Sequence, residues 1–188
     1  MLRDTFECLD SLNLRSRPFI MKHLIFLLTV LILYSCNGIS KSSATINEND
    51  QIEVYSFEEL ESMLVAEDDR IHVVNFWATW CKPCIEELPY FEKLHENEND
   101  QVKVLLVSLD FPNKLDSQLK PFVKNKNIRS QVVLLDDPHE NVWIPKIDSS
   151  WTGAIPATLI FTKSKRIFYE RSFTQEELNT ELSKFSKL

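Results

Sequence analysis

Short apolar runs along this chain alternate with stretches in which apolar residues recur every three or four positions, so strands should alternate with helices. Ile71 to Trp77 and Val102 to Leu109 are nearly continuous in apolar and β-branched residues, as strands buried on both faces should be. Between them, Ile85, Leu88, Phe91 and Leu94 are spaced by three and predict one apolar stripe on a helix that fades in the polar run Glu96 to Asp100. Upstream, Ile52 and Val54 alternate with polar residues and predict a short strand. Ser56-Phe57-Glu58-Glu59 then has the form of a capping box opening a helix to about Ala66. Downstream, the pattern predicts a helix from Asp116 to Asn125, a strand from Val132 to Leu135, a turn at Asp136-Asp137-Pro138 and a short helix from Glu140 to Ile147. Ala157 to Phe161 and Arg166 to Tyr169 read as a hairpin, and Thr174-Gln175-Glu176-Glu177 caps a last helix bearing Leu178, Leu182 and Phe185. The alternation makes this an α/β domain, with enough chain for one core.

The first 36 residues follow another pattern. Met21-Lys22-His23 precedes Leu24 to Leu33, apolar apart from Thr29, and then Tyr34-Ser35-Cys36. A positive start, a short apolar core and a small residue before a cysteine form a secretory signal. The core is too short to cross a bilayer, which takes about twenty apolar residues. Leu33-Tyr34-Ser35-Cys36 resembles a bacterial lipobox, which predicts lipidation of Cys36 after cleavage. Translation is expected to begin at Met21, leaving Cys8 out of the mature protein. The chain thus divides into an upstream extension plus signal (1–36), a polar tether (37–50) and a folded domain (51–188). Without residues 1–36 the chain keeps 17 of its 21 basic and 25 of its 28 acidic residues, a net charge of −8. That balance argues against nucleic acid and against electrostatic adhesion to anionic lipid, so attachment would come from the lipid on Cys36. Ser186-Lys187-Leu188 spells a peroxisomal address, but an export signal at the other end makes it a coincidence.

The chemistry concentrates at Trp80-Cys81-Lys82-Pro83-Cys84, where the first long strand turns into a helix. Cys81 falls at the helix N-terminus, where unpaired N–H groups and the helix dipole favour thiolate over thiol. Lys82 adds positive charge beside it, and the thiolate is the nucleophile. Cys84, one turn further in, can attack a mixed disulfide formed by Cys81, so the pair reads as a dithiol/disulfide exchange centre. Half of a closed zinc site would need a second ligand pair, and His72, His95 and His139 are scattered without ligand spacing. Haem attachment would need His where Ile85 stands. A peroxiredoxin-like site would carry Thr where Ala78 stands. A purely structural disulfide closing so short a loop would constrain the unfolded chain little.

Val74-Asn75-Phe76-Trp77-Ala78-Thr79-Trp80-Cys81-Lys82-Pro83-Cys84, followed by Glu86-Glu87-Leu88-Pro89, resembles the TlpA/ResA-like branch of the thioredoxin superfamily, over residues 50–188. Gly153-Ala154-Ile155-Pro156-Ala157-Thr158 is a second landmark. The resemblance implies a thioredoxin-like fold, with a central mixed sheet, helices on both faces and an insertion from Asp110 to Thr152. It implies a cis peptide at Ile155-Pro156 that presents backbone to an extended substrate, with Trp80, Lys82 and Pro83 also at the substrate surface. Gly153, three residues before Pro156, then reflects a backbone need. Where many thioredoxins carry a buried Asp, this chain has Asn75, which cannot titrate. Glu87 matches the branch's acidic residue, and the implied role is to take the proton of Cys84; Glu86 reads as its solvated neighbour. Pro89 should kink the helix. Trp77 and Trp80 should shield the thiols, while Trp143 and Trp151 are expected to pack in the core near the proline loop.

The resulting expectation is an exported, lipid-anchored protein-disulfide oxidoreductase of the bacterial cell envelope, facing the periplasm. It would work on protein thiols and disulfides without metal or cofactor, as a reductase recharged by a transmembrane thiol carrier. With Cys36 acylated, Cys81 and Cys84 hold the single electron pair. The rival reading is a non-catalytic binding or assembly lipoprotein that uses the same groove, and the intact cysteine pair argues against it.

Overall fold

A computed structural model describes residues 51–98 and 100–185; the signal segment, Cys36, the tether and the final tripeptide lie outside them. The elements are β1 (Glu53–Tyr55), α1 (Phe57–Met63), β2 (Ile71–Trp77), α2 (Lys82–Glu98), β3 (Val102–Ser108), α3 (Lys120–Asn125), β4 (Gln131–Leu135), α4 (Glu140–Ile147), β5 (Ala157–Phe161), β6 (Arg166–Tyr169) and α5 (Gln175–Ser183). They build a six-stranded sheet in the order β1-β4-β3-β2-β5-β6. β1, β4, β3 and β2 run parallel, while β5 is antiparallel to β2 and β6 to β5.

Alternation along the strands sends successive side chains to opposite faces and so creates two cores. Val73, Trp77, Val104 and Leu106 meet Phe91 and Leu94 of α2 and Leu178 of α5 on one face. Val74, Phe76, Leu105 and Val107 meet Leu60 of α1 and Trp143 and Ile147 of α4 on the other. The mixed sheet with helices on both faces is the architecture expected. Both capping boxes form: Ser56 with Glu59, and Thr174 with Glu177.

Several boundaries differ from the pattern-based expectation; β3 ends one residue earlier, at Ser108, and β4 begins one residue earlier, at Gln131. α1 stops at Met63, because Leu64 turns its N–H to Glu61 and the chain enters a local turn in which Asp68 accepts from Arg70 N–H at 3.0 Å. β1 is an edge strand one residue further on, with Ile52 buried and Val54 exposed. The helix expected from Asp116 to Asn125 begins as a widened turn (Leu115–Leu119), itself preceded by a tight one (Pro112–Lys114), and becomes α-helical only at Lys120. Pro121 explains the widening. It has no N–H for Ser117, and its ring crowds that carbonyl, so the chain loosens to a Lys120 N–H···O Leu115 bond. Pro89, by contrast, sits inside α2, which continues through it.

Candidate active site

β2 ends at Trp77, and the turn Ala78-Thr79-Trp80 delivers Cys81 to the N-terminus of α2. Cys81 N–H bonds to Ala78 at 3.1 Å, and Cys81 C=O accepts the first helical bond from Ile85 at 3.1 Å. Cys81 and Cys84 form a disulfide. The sulfurs are not equivalent: Cys81 is 6% exposed and Cys84 is fully buried, so an incoming thiolate meets Cys81 first. The Cys84 N–H points at Cys81 Sγ from 3.3 Å, one of the free donors at the helix start that would stabilise a thiolate there.

Opposite stands the loop before β5. The Ile155-Pro156 peptide is cis, and Ile155 C=O lies 3.8 Å from Cys81 Sγ. Gly153 has φ +94°, a left-handed conformation that suits glycine, and a Cβ there would also press on Ile144 Cδ1 at 3.2 Å. Trp151 is buried and donates its indole N–H to Ala154 C=O at 2.8 Å. Glu170, just after β6, accepts from the Thr152 and Ala154 N–H groups at 3.2 and 3.0 Å. The tryptophan expected as core packing therefore also braces the proline loop, and Trp143 packs edge-on against it.

Below the disulfide lies a buried polar cluster. Glu87 follows Cys84 by three positions, on the same face of α2 one turn on. It is 1% exposed. One carboxylate oxygen accepts from Asn75 Nδ2 at 2.9 Å and the other from Phe173 N–H at 2.8 Å. Register places Thr158 beside Asn75, and the Asn75 amide also donates to Thr158 Oγ1 at 3.1 Å. Burial pushes the Glu87 carboxyl up to about 7, against the two donors and the more distant Arg171 charge, which favour the ionised form. Asn75 Oδ1 is buried without a partner among the described residues.

The remaining predicted residues sit at the rim. Trp80 is 56% exposed and so does not bury the thiols, whereas Trp77 is fully buried in the same core as both cysteines. Lys82 and Pro83 are exposed, and Lys82 reaches toward Glu86, itself exposed, at 3.8 Å. So exposed a lysine adds little to the thiolate. Thr158 closes the Gly153–Thr158 landmark and Trp151 is expected to pack near the proline loop, whereas Phe173 and Asp110 were not legible as site residues. Asp110 alone carried a signal, standing at the carboxyl end of the parallel strand next to β2, where α/β sheets gather their chemistry.

A family model described as the AhpC/TSA family matches residues 45–170. The chain belongs to the AhpC/TSA family. The Thioredoxin-like protein YneN of Bacillus subtilis is 31% identical over 98 residues, covering 50% of this chain and 58% of that protein. The Thiol-disulfide oxidoreductase ResA of Bacillus anthracis is 27% identical over 115 residues, covering 60% and 62%. The chain thus spans about three fifths of the length of these relatives. A solved thioredoxin-related protein from Neisseria meningitidis serogroup B superposes with a TM-score of 0.54 at 18% identity, over 63% of this chain and 86% of that one. The fold of this AhpC/TSA chain is thioredoxin-like.

Proposed function

We propose that the protein is an exported, membrane-tethered thiol–disulfide oxidoreductase that reduces disulfides of other proteins through Cys81 and Cys84. The observation that carries this reading is the asymmetric disulfide at a helix N-terminus, with Cys81 facing the Ile155 carbonyl and Cys84 buried behind it. Relatives named thiol-disulfide oxidoreductase support it. In the reducing direction the Cys81 thiolate attacks a substrate disulfide, forming a mixed disulfide and releasing one substrate thiolate. Glu87 accepts the Cys84 proton, and Cys84 sulfur attacks Cys81 sulfur. This frees the second substrate thiolate and re-forms the internal disulfide. Two electrons have moved from protein to substrate, and they reside on sulfur throughout.

The neighbouring Ile155-Pro156 backbone, with Trp80, Lys82 and Pro83 at the rim, would align an extended substrate segment. The signal at residues 21–36 supports export, with a lipid on Cys36 as the anchor and a transmembrane thiol carrier as the electron source. The deciding experiment is an equilibrium titration of the Cys81–Cys84 pair against dithiothreitol and glutathione. A potential near about −270 mV or lower supports the reductase direction, and one near about −120 mV would reverse it to disulfide donation. Absence of a reversible two-electron transition would replace the catalytic reading with the binding-module one.

A further inference from the structure

We infer that Asp110 is a positioning residue for Cys81, tethering the turn that carries it and thereby favouring the dithiol form of the pair. This deepens the thiol–disulfide exchange proposed above and rests on it. Asp110 is only 3% exposed. Its carboxylate accepts from Thr79 N–H at 3.0 Å, from the Thr79 hydroxyl and from Ser108 Oγ at 2.8 Å, while its own N–H donates to Ser108 Oγ at 3.1 Å. A second hold comes from the widened turn, where Gln118 Nε2 donates to Thr79 Oγ1 at 2.7 Å. Bonds to a buried, ionised acceptor are among the stronger ones a protein makes.

Their placement gives them a redox meaning. Thr79 lies two residues before Cys81, and the residue between them, Trp80, is 56% exposed and anchors the turn poorly by packing. In the oxidised protein the disulfide itself fixes Cys81 to α2. Once that bond opens, the position of the Cys81 sulfur beside the Cys84 N–H depends on the turn, and hence on Thr79 and Asp110. The tether therefore contributes more to the dithiol than to the disulfide. Removing it makes the disulfide harder to reduce, whereas a merely structural carboxylate would destabilise both forms alike and leave their equilibrium unmoved. The negative charge works the other way, because it opposes a nearby thiolate. Asp110→Ala removes tether and charge together; Asp110→Asn keeps an oxygen for the Thr79 N–H and removes the charge.

The experiment titrates the full-length chain and its Asp110→Ala, Asp110→Asn and Thr79→Val variants against dithiothreitol, following disulfide plus dithiol reductant to dithiol plus oxidised reductant. Asp110→Ala should lower the dithiol/disulfide equilibrium constant about tenfold, about 30 mV for this two-electron couple. Asp110→Asn should stay within about threefold of the parent or exceed it. Thr79→Val, a change on a half-buried turn that spares the backbone bond, should fall about threefold and gives an answer even if Asp110→Ala does not fold. An unchanged or raised constant in the Ala and Val variants, or equal losses in Ala and Asn, overturns the inference. A parent chain with no reversible transition overturns the exchange reading instead, so the two failures are distinguishable.

Discussion

Replacing Glu87 with Gln tests the buried polar cluster on stability alone. The carboxyl is held at about 7 in the folded protein, against its ordinary 4.5. Between those two values the folded state binds more protons than the unfolded state, so stability is full below 4.5 and is lost as pH rises through 7. At about 1.4 kcal/mol per tenfold in proton affinity, the whole difference is about 3 kcal/mol, of which about 2.5 kcal/mol falls between pH 5 and pH 8. Gln cannot titrate, and it fits. It can accept from Phe173 N–H and, once the Asn75 amide turns over, donate to the Asn75 Oδ1 that has no partner among the described residues of the parent protein. The assay is urea unfolding of both oxidised proteins at pH 5 and pH 8. Comparing the two slopes against pH cancels the surface carboxylates, which both proteins share. At about 1.5 kcal/mol per molar urea, the parent's midpoint should fall by more than about 1 M relative to the variant on going to pH 8. Parallel pH profiles, or a parent that gains on the variant with rising pH, would refute the account of Glu87 as a carboxyl raised by burial.

The same substitution should slow the second half of the exchange. With Cys81 loaded as a thionitrobenzoate mixed disulfide, release of the coloured thiolate by Cys84 should be about 100-fold slower in Glu87→Gln at neutral pH, the low end of what a positioned base contributes. Cys84→Ser should abolish that release while leaving the loading of Cys81 intact. Asn75→Asp sets a second carboxylate where Nδ2 now stands 2.9 Å from Glu87; two such groups cannot both ionise easily, so the pH midpoint of the stability profile should move upward. Gly153→Ala forces a side chain into φ +94° against Ile144 and should cost about 1–2 kcal/mol of unfolding free energy, measured by the same urea titration.

What was legible in the sequence was whatever the chain states locally. Both capping boxes are four-residue patterns that need no tertiary partner, and both are present. The long strands and α2 were readable because their apolar positions already carry the strand and helix periods. The region after β3 was readable only in outline. Its apolar positions suit one helix from Asp116, but Pro121 acts on the carbonyl four residues earlier, so the first turn widens and the chain becomes α-helical only at Lys120. The proline was visible in the sequence; its effect on the preceding turn was the part a periodicity reading passes over.

The site divides along the same line. Cys81 and Cys84 could be found because they are neighbours in sequence and their chemistry follows from being at one helix end. The state of Glu87 could not be found that way, since two of the contacts that set it come from Asn75, 12 residues earlier, and Phe173, 86 residues later. A carboxyl on the first turns of a helix is ordinarily solvated, and Glu86 next to it is exposed. What separates the two glutamates is which of them turns toward β2, and that is decided by the apolar stripe of Leu88, Phe91 and Leu94 seating α2 on the sheet. The core thus selects which glutamate is buried: the packing that buries the stripe also carries Glu87, one turn on from Cys84, into the interior, where the proposed function would have it accept the Cys84 proton. A substitution that rotated α2 about its axis would then disable the exchange without touching a cysteine, lowering the stability of the fold and bringing the Glu87 carboxyl back toward its ordinary value together.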